Sequence, residues 1–182
     1  EPEFQVLLYE FKAGLEAYLA ERPGDGPKTL AEIIAFNVAH ADTELALFGQ
    51  ELLEKSSEKG PLIEPAYVEA LATCGRLARE EGIDAAIRDD RLDAIVAPTG
   101  APAWLTDHVN GDAYVGGNSG PAAIAGYPSV TVPMGLIAGL PVGISFIGPA
   151  WSDASLIGYA FAFERATSHR RVPRLLPTAA EA

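Results

Sequence analysis

Three features of the 182-residue sequence predict an α/β fold, a mixed twisted sheet flanked by helices. Three short apolar runs, Leu92–Pro98, Ser129–Gly135 and Leu140–Gly148, are rich in β-branched residues and bounded by Pro and Gly. That is the pattern of buried strands. The stretches before and after them carry apolar residues at three- and four-residue spacing, as amphipathic helices do. The segments following Pro98 and spanning Gly116–Pro121 are irregular and lie beside strand ends, where α/β folds place their binding groups. Residues 1–91 therefore read as mainly helical, 92–149 as sheet strands and pocket loops, and 150–182 as a helix and a C-terminal tail.

The first helix carries Phe4, Leu7, Leu8, Phe11, Leu15, Tyr18 and Leu19 on one face, and Pro23-Gly-Asp-Gly-Pro ends it. Thr29 and Glu32 form a capping-box pattern before Ile33 and Ile34, so a second helix starts at Leu30 and His40 lies at its end as a terminal polar contact. A third helix is predicted from Asp42 to Lys55, with Leu45, Phe48 and Leu52 buried. Pro65 opens a longer helix with Val68, Leu71, Cys74 or Gly75, and Ala78 on its stripe and a break at Gly82. Ser119 is expected to cap a short helix over Pro121–Ala125. Ser152 or Asp153 starts the last helix, whose Leu156, Tyr159, Ala160 and Phe163 face is thickened by Ile157 and Phe161, predicting burial against the sheet. The tail Arg170–Pro177 is basic and irregular, a strap and not a domain.

Charge and composition narrow the function. A net charge of −12 argues against nucleic acid, whose affinity comes from Lys and Arg neutralising phosphates. No Lys or Arg lies between Arg91 and Arg165, so the sheet and its loops suit a neutral, amide-bearing ligand better than a nucleotide. Gly116-Gly-Asn-Ser-Gly lacks both the Lys-Ser/Thr ending of a P-loop and the dinucleotide spacing. Nor is it a nucleophile elbow with Asp107 and His108 as helpers of Ser119, because Pro121 follows Gly120 and adjacent side chains in extended chain diverge.

The single Cys74 excludes an internal disulfide and a multi-cysteine metal site, and reads as a small buried hydrophobe in a chain suited to a reducing compartment such as the cytoplasm. No apolar run is long enough to span a membrane. The chain opens Glu-Pro-Glu and its only methionine is Met134, which reads as a processed or truncated chain, one from which an export signal could have been lost.

Three ordered motifs carry a family resemblance: Asp93-Ala-Ile-Val-Ala-Pro-Thr, Ala125-Gly-Tyr-Pro-Ser-Val-Thr-Val-Pro-Met-Gly and Gly139-Leu-Pro-Val-Gly-Ile-Ser-Phe-Ile-Gly-Pro. Together they resemble the C-terminal portion of the amidase signature family, most like its peptide amidase branch. The likeness continues through Trp151–Ile157 and the helix ending near Thr167, and covers Phe4–Pro65 more weakly. The resemblance implies a carbon–nitrogen hydrolase without metal or cofactor, in which an activated serine attacks an amide carbonyl. It also implies that the catalytic lysine, cis-peptide serine and nucleophilic serine lie in an N-terminal half that this sequence lacks. Lys12, Lys28, Lys55 and Lys59 sit in helical or loop contexts, so no catalytic residue is assigned here.

The candidate substrate-binding residues are Thr99, Trp104, Asp107 and Asn118, on loops beside strand ends, where they offer hydrogen bonds and one flat apolar wall. Each has a plainer structural alternative: Trp104 as packing, Asp107 as the cap of a turn. The expected partners are the missing N-terminal part of the amidase and a small amide substrate, with homodimerisation through an exposed edge or apolar face. The alternative is a non-catalytic binding or assembly module related to components of amidotransferase complexes.

Overall fold

A computed structural model describes residues 1–173, so the end of the basic tail, from Arg174, lies outside the described residues. The chain divides into two compact units, residues 1–74 and 75–182.

In the first unit, α1 (Pro2–Glu21) buries Leu8, Tyr9 and Leu19. The helix α2 (Leu30–Ala39) begins where the capping pattern places it: the Thr29 hydroxyl accepts from the Glu32 N–H at 3.2 Å. The Glu32 carboxylate reaches back to the Lys28 N–H at 2.6 Å, satisfying a second donor ahead of the helix. His40 ends α2 as expected, its Nδ1 donating to the Phe36 carbonyl at 2.8 Å and its ring stacked on Phe36.

The helix predicted over Asp42–Lys55 does not form in one piece. It is split into α3 (Ala41–Glu44) and α4 (Glu51–Ser57), leaving Leu45 half-buried and Phe48 and Leu52 exposed. Gly49 would cost a continuous helix about 1 kcal/mol. Gln50 is instead tied to α2, accepting from Asn37 Nδ2 at 3.0 Å. In α5 (Pro65–Gly75) the buried residues are Tyr67 and Cys74, whereas Val68 and Leu71 are exposed. Cys74 and Ala78 of the predicted stripe are buried, but ahead of them Tyr67 takes the inner position in place of Val68 and Leu71, its hydroxyl donating to Glu10 at 2.8 Å and its ring packing on Tyr9. Two lysines close this unit. Lys12 Nζ donates to the carbonyl of Ser57, the last residue of α4, at 3.0 Å, and Lys59 Nζ donates to Gln5 at 3.0 Å.

The second unit begins with a π-helical stretch, Arg76–Ile83, that breaks at Gly82 (φ −104°, ψ −106°) before α6 (Asp84–Asp90). A Cβ at Gly82 would lie 2.6 Å from the Leu77 carbonyl oxygen, so the predicted break needs this glycine. Three strands follow: β1 (Ile95–Pro98), β2 (Ser129–Ile137) and β3 (Leu140–Ile147), in the order β1-β3-β2. A mixed sheet is predicted, but within this chain every described strand pair is antiparallel. The cause is local. Ala138 (φ 49°) and Gly139 (φ 81°) form a two-residue turn with both φ positive, which returns β3 along β2 and extends β2 past Gly135. A bulge between Pro133 and Gly135 bends β2 where proline could not donate.

Alternation along β3 divides the two sheet faces. On one face Phe146 joins Val132, Leu156 and Ala160, so that α8 (Asp153–Thr167) covers the sheet. Ile157 and Phe161 of α8 remain exposed, so the predicted all-round burial is limited to one stripe. On the other face Ile147 joins Ala78, Ile83, Ala122 and Ala125. The last two belong to α7 (Ser119–Ala125), whose cap position is Asn118 and not Ser119 as predicted. Ser119 is already helical, and Asn118 spends its side chain on the strand beside it.

Candidate functional site

The face of the sheet that α7 covers turns from apolar to polar along β3. Ile147 is sealed by α7, but two residues earlier Ser145 is 2% exposed and polar. Ala97, Ser145 and Thr131 are register partners across the three strands, and Thr99, two residues beyond Ala97, keeps the same side. Three hydroxyls meet there: Thr99 Oγ1 lies 2.5 Å from Thr131 Oγ1 and 2.9 Å from Ser145 Oγ. Gly143 makes the room, since a Cβ at that position would sit 2.8 Å from Thr99 Oγ1 and 2.9 Å from Thr131 Oγ1.

Thr99 and Asn118, two of the predicted site residues, are brought together at the base of a long loop. The Asn118 N–H donates to the Thr99 carbonyl at 3.2 Å, and a bridge between Gly100 and Gly117 closes the loop's neck. The Asn118 side-chain amide donates to the carbonyls of Ala97 (3.1 Å) and Pro98 (2.8 Å), binding the start of α7 to the end of β1.

Trp104 and Asp107 lie out on the loop. Trp104 Nε1 donates to Asp112 at 3.2 Å, and its ring meets Tyr114 edge-on at 6.0 Å across the loop. Trp104 as a residue is 40% exposed. Asp107 caps a turn: its Oδ1 accepts from the N–H groups of Val109 (2.8 Å) and Asn110 (2.9 Å), and its Oδ2 from the Asn110 side chain (2.9 Å). The Asn110 N–H, the Asn110 side-chain amide and the Val109 N–H hold the Asp107 carboxyl below the ordinary carboxylate range.

A carboxyl whose folded pKa is depressed supports its turn fully above the unfolded value, about 3.9 for Asp, and loses that support as pH falls through the folded pKa. A carbon-detected NMR titration should therefore give Asp107 a midpoint below that of a free aspartate, and Asn110→Ala should raise it. A midpoint at the ordinary value would mean that the turn does not hold in solution.

Thr131, Ser145 and Gly143 were not among the predicted site residues, although one signal for them is present. Ser145 is a lone hydroxyl in an apolar strand, and a buried hydroxyl requires a partner from a neighbouring strand. Among the described residues no group of three or more His, Cys, Asp or Glu is placed to hold a metal ion. No described helix is long and apolar enough to cross a membrane.

The chain matches known proteins along most of its length. The family model described as Amidase matches residues 4–157. A probable amidase of Arabidopsis thaliana is 36% identical over 173 residues, 94% of this chain and 30% of the relative. The solved structure of native peptide amidase from Stenotrophomonas maltophilia superposes with a TM-score of 0.87 at 49% identity, covering 96% of this chain and 35% of that one. A glutamyl-tRNA(Gln) amidotransferase component of Desulforudis audaxviator is 46% identical, but over 48 residues, 26% of this chain and 10% of the relative. The chain belongs to the amidase signature family. Within that family it falls in the peptide amidase branch. It spans about a third of the length of the amidases it matches.

Proposed function

We propose that these 182 residues are the C-terminal portion of a single amidase domain that hydrolyses carbon–nitrogen bonds in linear amides, including C-terminal peptide amides. The observation that carries the reading is the match to peptide amidase over 96% of this chain but 35% of that protein. In the proposed division of labour, the serine–serine–lysine machinery lies in the remaining part of the enzyme. There an activated serine attacks the amide carbonyl, forms an acyl-enzyme and releases ammonia before hydrolysis. This portion supplies core strands and one wall of the substrate cleft. Thr99 and Asn118 shape the base of that wall, and the loop bearing Trp104 and Asp107 forms its rim.

The local geometry agrees with a non-catalytic role for this portion by itself. The Asp107 carboxylate is engaged by its own turn. Among the described residues no hydrogen bond joins Ser119 to His108 or Asp107, so a base-activated nucleophile is not assembled there. The amidotransferase alternative draws less support: the Desulforudis audaxviator likeness runs over 26% of the chain, where the Arabidopsis thaliana amidase matches over 94% and the Stenotrophomonas maltophilia peptide amidase over 96%.

The isolated chain should release no ammonia from amidated dipeptides, and restoring the rest of the enzyme should confer turnover. Ammonia release by the isolated chain that survives repurification and disappears in Ser119→Ala would overturn this reading.

A further inference from the structure

Asn110 and Gly111 form the one Asn-Gly step in the sequence, inside the turn that Asp107 caps. Asparagine before glycine reacts with itself. Glycine has no Cβ to shield its backbone nitrogen, so that nitrogen can attack the asparagine side-chain carbonyl carbon one residue back. The bond from the Gly111 nitrogen to Asn110 Cγ forms, the Cγ–Nδ2 bond breaks, and the proton of the Gly111 nitrogen departs with the amide as ammonia. Water then opens the cyclic imide at either carbonyl, giving aspartate or, with one more carbon in the main chain, isoaspartate. Nucleophile and electrophile belong to consecutive residues, so the reaction requires neither a cleft nor a partner.

The turn both requires this glycine and restrains the reaction. Gly111 sits at φ 83°, in the left-handed region that favours glycine. Its N–H donates to the Asp107 carbonyl at 3.1 Å, and Asn110 Nδ2 donates to Asp107 Oδ2 at 2.9 Å. A carboxylate only accepts, so the direction of the second bond is fixed. Cyclisation gives up both bonds: the glycine nitrogen must lose the proton that the carbonyl holds, and the amide nitrogen must leave its carboxylate. The other two asparagines are placed differently. Asn37 precedes the β-branched Val38 inside α2, and the Asn118 amide is spent on two backbone carbonyls.

The product undoes the turn. At residue 110 an amide that donates to Asp107 becomes a carboxylate that cannot, and two like charges meet where a hydrogen bond stood. We infer that Asn110–Gly111 is a self-modifying site, restrained by Asp107, whose deamidation irreversibly opens the turn in the loop after β1. This goes beyond the amidase reading and does not depend on it.

The test ages the full-length protein that carries this segment at neutral pH and follows Asn37, Asn110 and Asn118 by peptide mass, with aspartate and isoaspartate forms separated. Asn110 should convert ahead of the other two and give both products. Asp107→Ala should speed that conversion about tenfold, the low end of what a hydrogen bond to a charged group is worth. Gly111→Ala should slow it sharply, since a side chain then shields the attacking nitrogen. Asn110→Asp, which carries the product's charge without the reaction, should raise the midpoint of Asp107 in the NMR titration above. Conversion first at Asn37 or Asn118, or none at Asn110 in either the wild type or Asp107→Ala, would overturn the site. Equal rates in those two proteins would overturn the restraint by Asp107, and an unmoved Asp107 midpoint in Asn110→Asp would overturn the opening of the turn.

Discussion

Leu156→Ala should destabilise the second unit by about 3 kcal/mol, within the range of roughly 2–5 kcal/mol for removing a fully buried leucine. Leu156 is 0% exposed and packs with Val132 and Phe146 of the sheet and Ala160 of its own helix. Its Cδ2 also lies 3.1 Å from where a Cβ on Gly148 would be, so the chain approaches it closely after β3 as well. The neighbours are strands held by ladder bonds and cannot collapse into the space left behind, so the cavity term should add to the transfer term. The neighbouring Ile157 is 59% exposed, and Ile157→Ala should cost far less. Urea unfolding followed by amide exchange in β2 and β3 reads this unit separately from residues 1–74. Equal effects of the two substitutions would show that α8 does not lie on the sheet through Leu156.

That contrast between adjacent residues shows what the sequence could disclose and where it fell silent. Period and punctuation located the elements: the capping box at Thr29 and Glu32, the break at Gly82 and the strand runs all stand where spacing places them. Which side of a helix is covered is a different kind of fact, because it depends on what lies opposite. Leu156 and Ile157 are alike in hydropathy, yet one is sealed and the other is not. The same holds for α5, where Tyr67 turns inward to donate its hydroxyl hydrogen bond to Glu10, fifty-seven residues away in sequence. The strand directions were equally non-local for β1, whose pairing with β3 joins residues about fifty positions apart. Around the candidate site, Trp104, packed edge-on against Tyr114, and Asp107, the cap of a turn, were conspicuous in the sequence as tryptophan and aspartate between strands. The hydroxyl row was not, since threonine and serine in a strand look like ordinary β-formers until the register aligns them.

The isolated chain should self-associate at micromolar concentration. Phe48 and Ile63 in the first unit, and Trp151, Ile157 and Phe161 in the second, are large apolar residues more than half exposed. The outer edge of β2 has no partner among the described strands, and from Ser129 to Ile137 it carries no charged residue to discourage pairing. Exposure on this scale is unusual for a monomer, where single apolar residues are common but clustered ones mark an interface. If association covers even about 500 Å² of apolar surface, the gain is on the order of 12 kcal/mol at ~25 cal/mol per Å², before the costs of association and side-chain ordering. Those costs are themselves roughly 4–15 kcal/mol, so the balance is set by how much surface two copies can cover at once. An open strand edge helps here, because edge pairing supplies direction and register that apolar contact alone lacks. Light scattering behind a sizing column should show dimers or larger species, and adding the remaining portion of the amidase should convert them to a single complex by covering the same surface. A clean monomer at high concentration, with little dye bound to apolar surface, would show that these residues close their own core and that the enzyme is modular, with no sheet shared across its parts.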